Sequence, residues 1–174
     1  MIPTAAVSVA LAERLFELAA VIESTDDITY VSAREDGVSG SIGAHVRHSI
    51  DHVASLLDTP VPGRVDYDHR RRGTVVEQSR TAALAELERL AHRLQWLPDE
   101  VLEAPVELTA VVDRSGRRVS ALSTVARELV FVLSHTIHHQ AIIALLLAAA
   151  GQATPHRFGL APSTPGHASC AQSA

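Results

Sequence analysis

Six of the ten histidines lie in two short stretches of the chain, and this clustering is the strongest chemical signal in the sequence. The six are His45, His48, His52, His135, His138 and His139. In the second stretch His135 and His139 are four residues apart, so on a helix both imidazoles lie on one face, about one turn apart. That spacing lets two ring nitrogens reach a single ion at about 2 Å. The second stretch therefore predicts a metal site.

The residues around this pair strengthen the prediction. Phe131, Ile137 and Ile142 make the segment apolar, and burying neutral imidazoles there costs free energy unless each has a partner. A metal ion would supply that partner. A single histidine on an apolar helix is usually a hydrogen-bonded core residue, but three within five residues favour a metal. His138 points about 100° away from His139, so we expect it to pack beside the site.

The first stretch leaves its ligand open. His45, His48 and His52 are spaced by three and four residues, which places all three within about 60° of arc on a helix. Helical geometry does not choose between them. Two interpretations of Asp51 are equally favoured: it accepts a hydrogen bond from a ligand histidine, or it is an exposed acid on the helix surface.

Four segments carry the three- and four-residue apolar spacing of helices. They run from about Thr4 to Ser24, Ser41 to Leu57, Val75 to Trp96 and Thr124 to Ala150. Ser39 or Ser41 is expected to cap the second helix, and Ser123 or Thr124 the last one. Gly151 stands where a glycine commonly follows a helix.

Residues 105–121 differ, because apolar and polar residues alternate and a turn sequence follows at 113–116. This pattern predicts a small β-hairpin. The fold class is therefore expected to be all-α: an antiparallel four-helix bundle with a small hairpin before the last helix. We expect residues 1–160 to form one helical-bundle domain, with Phe158 and Leu160 folding back onto it, and residues 161–174 to be a flexible tail.

Composition narrows the setting of the protein. The net charge of −5 gives no basis for binding nucleic acid. Cys170 is the single cysteine, so no internal disulfide can form and a reducing, cytoplasmic compartment is expected. No signal peptide is recognisable at the start of the sequence. The apolar run 141–150 is shorter than a membrane span needs, so we expect no membrane association.

The two histidine stretches resemble the DinB-like superfamily, which includes the YfiT-like metal-dependent hydrolases and thiol S-transferases. The resemblance covers most of the chain from the second helix to Gly151, and segments 66–73 and 158–164 look like an uncharacterised branch. It implies a four-helix bundle with one histidine ligand on the second helix and a His-x-x-x-His pair on the last. That family ligand sits seven residues after the Ser or Thr that opens the second helix. Counting from Ser41 implies His48, with His135 and His139 as the pair and His45 and His52 as alternatives.

Such a site suggests an enzyme, because three neutral nitrogen ligands leave coordination positions open for water and substrate. We expect a divalent ion, zinc or nickel in preference to iron or manganese. The expected activity is thiol transfer or hydrolysis on a small electrophilic molecule, with a low-molecular-weight thiol as one expected partner. Glu128 could be a general base, although a capping or salt-bridge role is favoured, and Tyr67 could line the mouth of the site. The alternative is a metal-binding or stress-response protein without turnover. The other partner considered is a second copy of the chain, in a homodimer.

Overall fold

Four long helices dominate the computed structural model, which describes residues 5–33, 40–68 and 73–164. The helices are α1 (Ala5–Glu23), α2 (Asp27–Val31), α3 (Ile42–Leu57), α4 (Val75–Gln78), α5 (Arg80–Gln95), α6 (Asp99–Leu102) and α7 (Val125–Ala149). The long ones pack side by side, with α1 against α5 and α7, and α3 against α7 and α5. The fold is therefore mostly helical, with the four predicted long segments forming its body.

A three-stranded sheet accompanies the helices. Its strands are β1 (Gly63–Asp66), β2 (Pro105–Val111) and β3 (Arg118–Thr124). The predicted hairpin is β2 with β3, and its turn is held by Asp113, whose Oδ1 accepts hydrogen bonds from the backbone N–H groups of Ser115 and Arg117. β1 pairs in parallel with β2. The sequence analysis predicted no strand between the second and third helical segments, so β1 was missed and the sheet is larger than expected.

Local sequence sets the ends of the helices that carry histidines. Ser41 caps α3 by accepting from the Ala44 N–H at 3.1 Å, and Thr124 caps α7 by accepting from the Arg127 N–H at 3.3 Å. Side-chain caps of this kind satisfy N–H groups that have no partner within the helix. Gly151 follows α7 with a φ of 75°. The register of both helices is therefore determined close to their histidines.

The predicted single helix 75–96 is interrupted at Ser79. This residue is extended, with φ −127° and ψ 111°, and its side chain caps α5 by accepting from the Ala82 N–H. The break lets α4 approach α3 closely, since a Cβ on Gly43 would lie 2.3 Å from the carbonyl oxygen of Glu77. The Ser79 hydroxyl accepts a hydrogen bond from a backbone N–H group, as serines do at helix starts. This bond competes with the hydrogen bonds of a continuous helix, so one helix becomes two.

Helix α7 is the central apolar element. By length and hydropathy alone it could cross a membrane. Within the structure 44% of its most apolar 18-residue stretch is buried. Phe158 folds back as predicted and is 7% exposed, whereas Leu160 is 46% exposed. The predicted flexible tail lies largely outside the described residues, from residue 165 onward.

Candidate metal centre

Five histidine side chains meet between α3 and α7. They are His45, His48, His52, His135 and His139. The caps at Ser41 and Thr124 set the registers that turn these positions toward each other. His138 is exposed and its ring centroid lies 6.2 Å from that of His135, so it borders the cluster as expected.

Two close nitrogen contacts join the three predicted ligands. The Nε2 atoms of His48 and His135 lie 2.9 Å apart, and those of His135 and His139 lie 3.2 Å apart. Ligands at about 2.0–2.1 Å from a tetrahedral ion would be separated by roughly 3.3 Å. These two distances are close to that separation, and ligation of one ion by all three histidines remains a prediction.

His52 completes a second set of donors. One nitrogen from each of His48, His52 and His135 can be chosen so that all lie within 4.8 Å of one another, a set that could also hold a metal ion. His48 and His135 belong to both sets, so the disagreement concerns only the third ligand. His139 Nε2 lies 3.2 Å from His135 Nε2, whereas the set that contains His52 has all three donor atoms within reach of one another, so both His139 and His52 are candidates for the third ligand.

His139 is in the chemical form that a ligand requires. It is 7% exposed, and burial lowers its pKa to about 3, with further lowering from the charges of His135, His45, His138 and His52. Since desolvation disfavours the imidazolium, the ring is neutral at physiological pH. A neutral imidazole offers a lone pair to a metal ion.

Tyr67 forms one side of the cluster. Its ring stacks on His52 with centroids 5.1 Å apart and planes 6° from parallel, and it also contacts Phe131 at 5.3 Å. Burial and the neighbouring carboxylate of Glu128 raise the pKa of the Tyr67 hydroxyl well above its ordinary value. Phe131 in turn stacks on His135 at 5.7 Å. Two aromatic rings thus form an apolar wall beside the histidines.

Glu128 anchors this wall. Its carboxylate is fully buried and accepts hydrogen bonds from the Tyr67 hydroxyl at 3.1 Å, the Ser123 hydroxyl at 2.6 Å and Arg127 Nη1 at 2.8 Å. The role of a general base at the metal has no support in these contacts. The favoured salt-bridge role is present, and the link to Tyr67 is a contact that sequence spacing alone did not reveal.

The opposite face of α3 carries a different network. Arg47 is buried and donates to Glu77 Oε2 at 2.9 Å and to Asp51 Oδ2 at 2.5 Å. The carboxylate of Asp51, a candidate acceptor for a ligand histidine, is thus engaged with an arginine. Arg47 and Asp51 line a groove of about 500 Å³ that contains none of the five histidines. This groove is a feature apart from the candidate centre.

Comparison with known proteins supports the fold and leaves the family open. No protein-family model matches the chain. The structure resembles that of YfiT from Bacillus subtilis. The TM-score is 0.60, and the match covers 86% of this chain and 89% of YfiT at 18% sequence identity. YfiT is described as a probable metal-dependent hydrolase with an unusual four-helix bundle topology. At this identity the likeness shows the fold alone.

A sequence relative adds a partial match. FK506-binding protein 5 from Rhizopus delemar is 33% identical over 104 residues, which are 59% of this chain and 27% of that protein. The chain thus spans about a quarter of the length of this relative. The name of the relative describes that protein, and its activity does not carry over to a match of this extent.

Proposed function

We propose that this protein is a divalent-metal-dependent enzyme with His48, His135 and His139 as the metal ligands. The observation that carries the proposal is the approach of the three Nε2 atoms, at 2.9 and 3.2 Å, between α3 and α7. Imidazoles that are withdrawn from water and face one another with their nitrogens are unfavourable unless hydrogen bonds or an ion satisfy them. A single cation satisfies all three together.

The ligand set agrees with a catalytic site. Three protein ligands leave at least one coordination position for water or substrate. A bound divalent ion would lower the pKa of a coordinated water or thiol, so that a nucleophile exists near neutral pH. Zinc or nickel is the favoured ion, and iron or manganese also suits imidazole ligands.

The surrounding residues suggest what the site accepts. Tyr67 and Phe131 place aromatic surface beside His52 and His135, and such walls exclude water and favour an apolar substrate portion. Glu128 holds Tyr67 in position through its hydroxyl. We therefore infer a small electrophilic substrate, attacked by water or by a low-molecular-weight thiol.

The experiment is a rate comparison on untagged protein. A panel of small thiols, with water alone as the reference, is tested on model electrophiles with metal-loaded, chelated and His135→Ala protein. Only the metal-loaded native chain is expected to accelerate the reaction. The control is His92→Ala, because His92 lies on α5, is exposed and contacts Phe16 rather than the cluster. Equal rates in all preparations would refute the enzyme.

A second candidate is a metal-binding protein without turnover, which the presence of His52 specifically favours. If its imidazole joins the other three, four nitrogen ligands would close a tetrahedral site. Cobalt-loaded protein distinguishes the two candidates. A visible spectrum that changes on adding a thiol indicates an open position, whereas an unchanged spectrum together with no catalysis supports the binding protein.

A further inference from the structure

His45 makes a contact that the ligand set does not use. Its Nδ1 lies 3.0 Å from the Nδ1 of His139, and the two ring centroids are 5.2 Å apart. In a neutral imidazole one nitrogen carries a proton and the other a lone pair. Two lone pairs facing each other at this distance repel, so one of the two Nδ1 atoms carries a proton and donates it.

The opposite nitrogen of His139 decides the direction of this hydrogen bond. Its Nε2 lies 3.2 Å from the Nε2 of His135, on the side where the ligand nitrogens gather. A metal ligand must present a lone pair there, so the proton of neutral His139 belongs on Nδ1. Nδ1–H then donates to the Nδ1 lone pair of His45.

We propose that His45 is a positioning residue that accepts a hydrogen bond from His139 and thereby holds it in the tautomer that binds metal through Nε2. The proposal rests on the proposed metal site and separates the roles of the three histidines on α3. His48 directs its Nε2 at His135, whereas the Nδ1 of His45 lies beside the far nitrogen of His139, Nδ1.

His52 shows the same arrangement with a different acceptor. Its Nδ1 lies 2.9 Å from the carbonyl oxygen of His48, which can only accept, so its proton is on Nδ1 and its lone pair on Nε2. A carbonyl, a carboxylate or water is the usual acceptor for a ligand histidine. The acceptor for His139 is instead the imidazole of His45. Since its Nδ1 must present a lone pair, His45 carries its proton on Nε2.

The backbone leaves room for that Nε2 of His45. It faces Gly40, where a Cβ would come within 3.6 Å, and Gly40 has a φ of 101° that a side chain would strain. The glycine therefore lets the chain turn into α3 directly beside the His45 ring. The His45 ring thus lies between the turn at Gly40 and the ring of His139.

A different role for the same contact makes a distinct prediction. If both Nδ1 atoms instead bound a second ion, His139 would bridge two metals and the chain would bind two ions. A titration of the apoprotein with Zn²⁺ counts the sites directly. One ion per chain is expected, and two ions, with the second lost in the His45 variants, would overturn the proposal.

The test compares two substitutions at His45 in the full-length, untagged protein. His45→Leu keeps bulk and removes the acceptor, whereas His45→Asn keeps an oxygen near the position of Nδ1. We expect His45→Leu to weaken Zn²⁺ binding about 10- to 100-fold with one ion still bound, and His45→Asn to restore most of the affinity. Native affinity in His45→Leu, or complete loss of the ion as in His139→Ala, would refute a positioning role.

A second readout does not depend on metal. In chelated protein the ¹⁵N chemical shifts of the His139 ring, assigned with the His139→Ala variant, report which nitrogen carries the proton. We expect Nδ1 protonation in the native chain and a mixture of tautomers in His45→Leu. If the native chain binds no metal but shows this change, the metal site fails and the hydrogen bond stands; unchanged shifts would refute the hydrogen bond itself.

Discussion

The two sides of the helical body bury very different side chains. Where α1 meets α5 the buried residues are leucines with no exposed surface: Leu11, Leu15, Leu18, Leu87, Leu90 and Leu94. Where α3 meets α7 the neighbouring side chains are the five histidines. Apolar burial stabilises the first interface without any specific partner. At the second interface each imidazole is buried favourably only if it finds a partner, so the histidines place the chemistry on one side of the fold, away from the leucine interface.

The largest expected effect is on the histidine side. Replacing His135 by alanine removes one of the two residues that both candidate ligand sets share. Losing a ligand costs more than the 10- to 100-fold that follows from losing a neighbouring hydrogen-bond partner, so we expect a weakening greater than about 100-fold. Elemental analysis of purified protein measures it.

His139→Ala and His52→Ala refine this prediction. We expect the first to lose the ion and the second to retain it, while His92→Ala stays at the native metal content. If instead His52→Ala lost the ion and His139→Ala kept it, the third ligand would be His52.

On the leucine side we expect the converse: a loss of stability with no change in metal affinity. Leu90→Ala should lower the free energy of unfolding by about 2–5 kcal/mol, because it leaves a cavity in a close-packed core. The metal affinity of the folded variant should be native. Urea unfolding with a metal titration checks both quantities, and a large loss of affinity would show that the two sides are coupled.

Acid should act on the histidine side in the metal-free protein. The pKa of His139 is lowered from 6.5 to about 3 in the folded state, so the unfolded chain binds the proton first. Its contribution to stability is therefore full above pH 6.5 and is lost as the pH falls toward 3, at roughly 1.4 kcal/mol per unit at most.

Urea unfolding in the presence of a chelator, from about pH 7 to about pH 4, measures this dependence. The carboxylates are common to the native chain and the variant His139→Leu, so the difference between the two profiles reports His139 together with the histidines that interact with it. Parallel profiles would contradict the lowered pKa.

The smallest effect is expected at the aromatic wall of Tyr67 and Phe131 beside the histidines. Tyr67→Phe removes one of the three hydrogen bonds to the buried carboxylate of Glu128 while keeping the ring that stacks on His52. A hydrogen bond to a charged group contributes about 1.5–3 kcal/mol, and the unfolding free energy should fall by about this amount or less. Thermal and urea unfolding measure it, and metal affinity should change by only a few-fold.

Two corrections show where local patterns stop being informative. The apolar helix spacing continues through Ser79, yet the helix is interrupted there. The cap at Ser79 and the close approach of Glu77 to Gly43 are together more favourable than one continuous helix. β1 lies in a segment with two prolines and a glycine that local signals marked as a loop. Its pairing with β2 connects positions about forty residues apart, which no local window contains.

The sequence alone indicated four helical segments, of which the third proved to be broken at Ser79, the hairpin and its turn, two candidate caps for each histidine-bearing helix, and the two stretches in which metal ligands were expected. These features depend on side-chain periodicity and on hydrogen bonds between near neighbours, which the order of residues specifies directly. The tertiary structure decided that His45 lies against the far nitrogen of His139 and that Tyr67 stacks on His52. Three histidines within 60° of arc are equivalent on an isolated helix, and only the position of α7 against α3 makes them different.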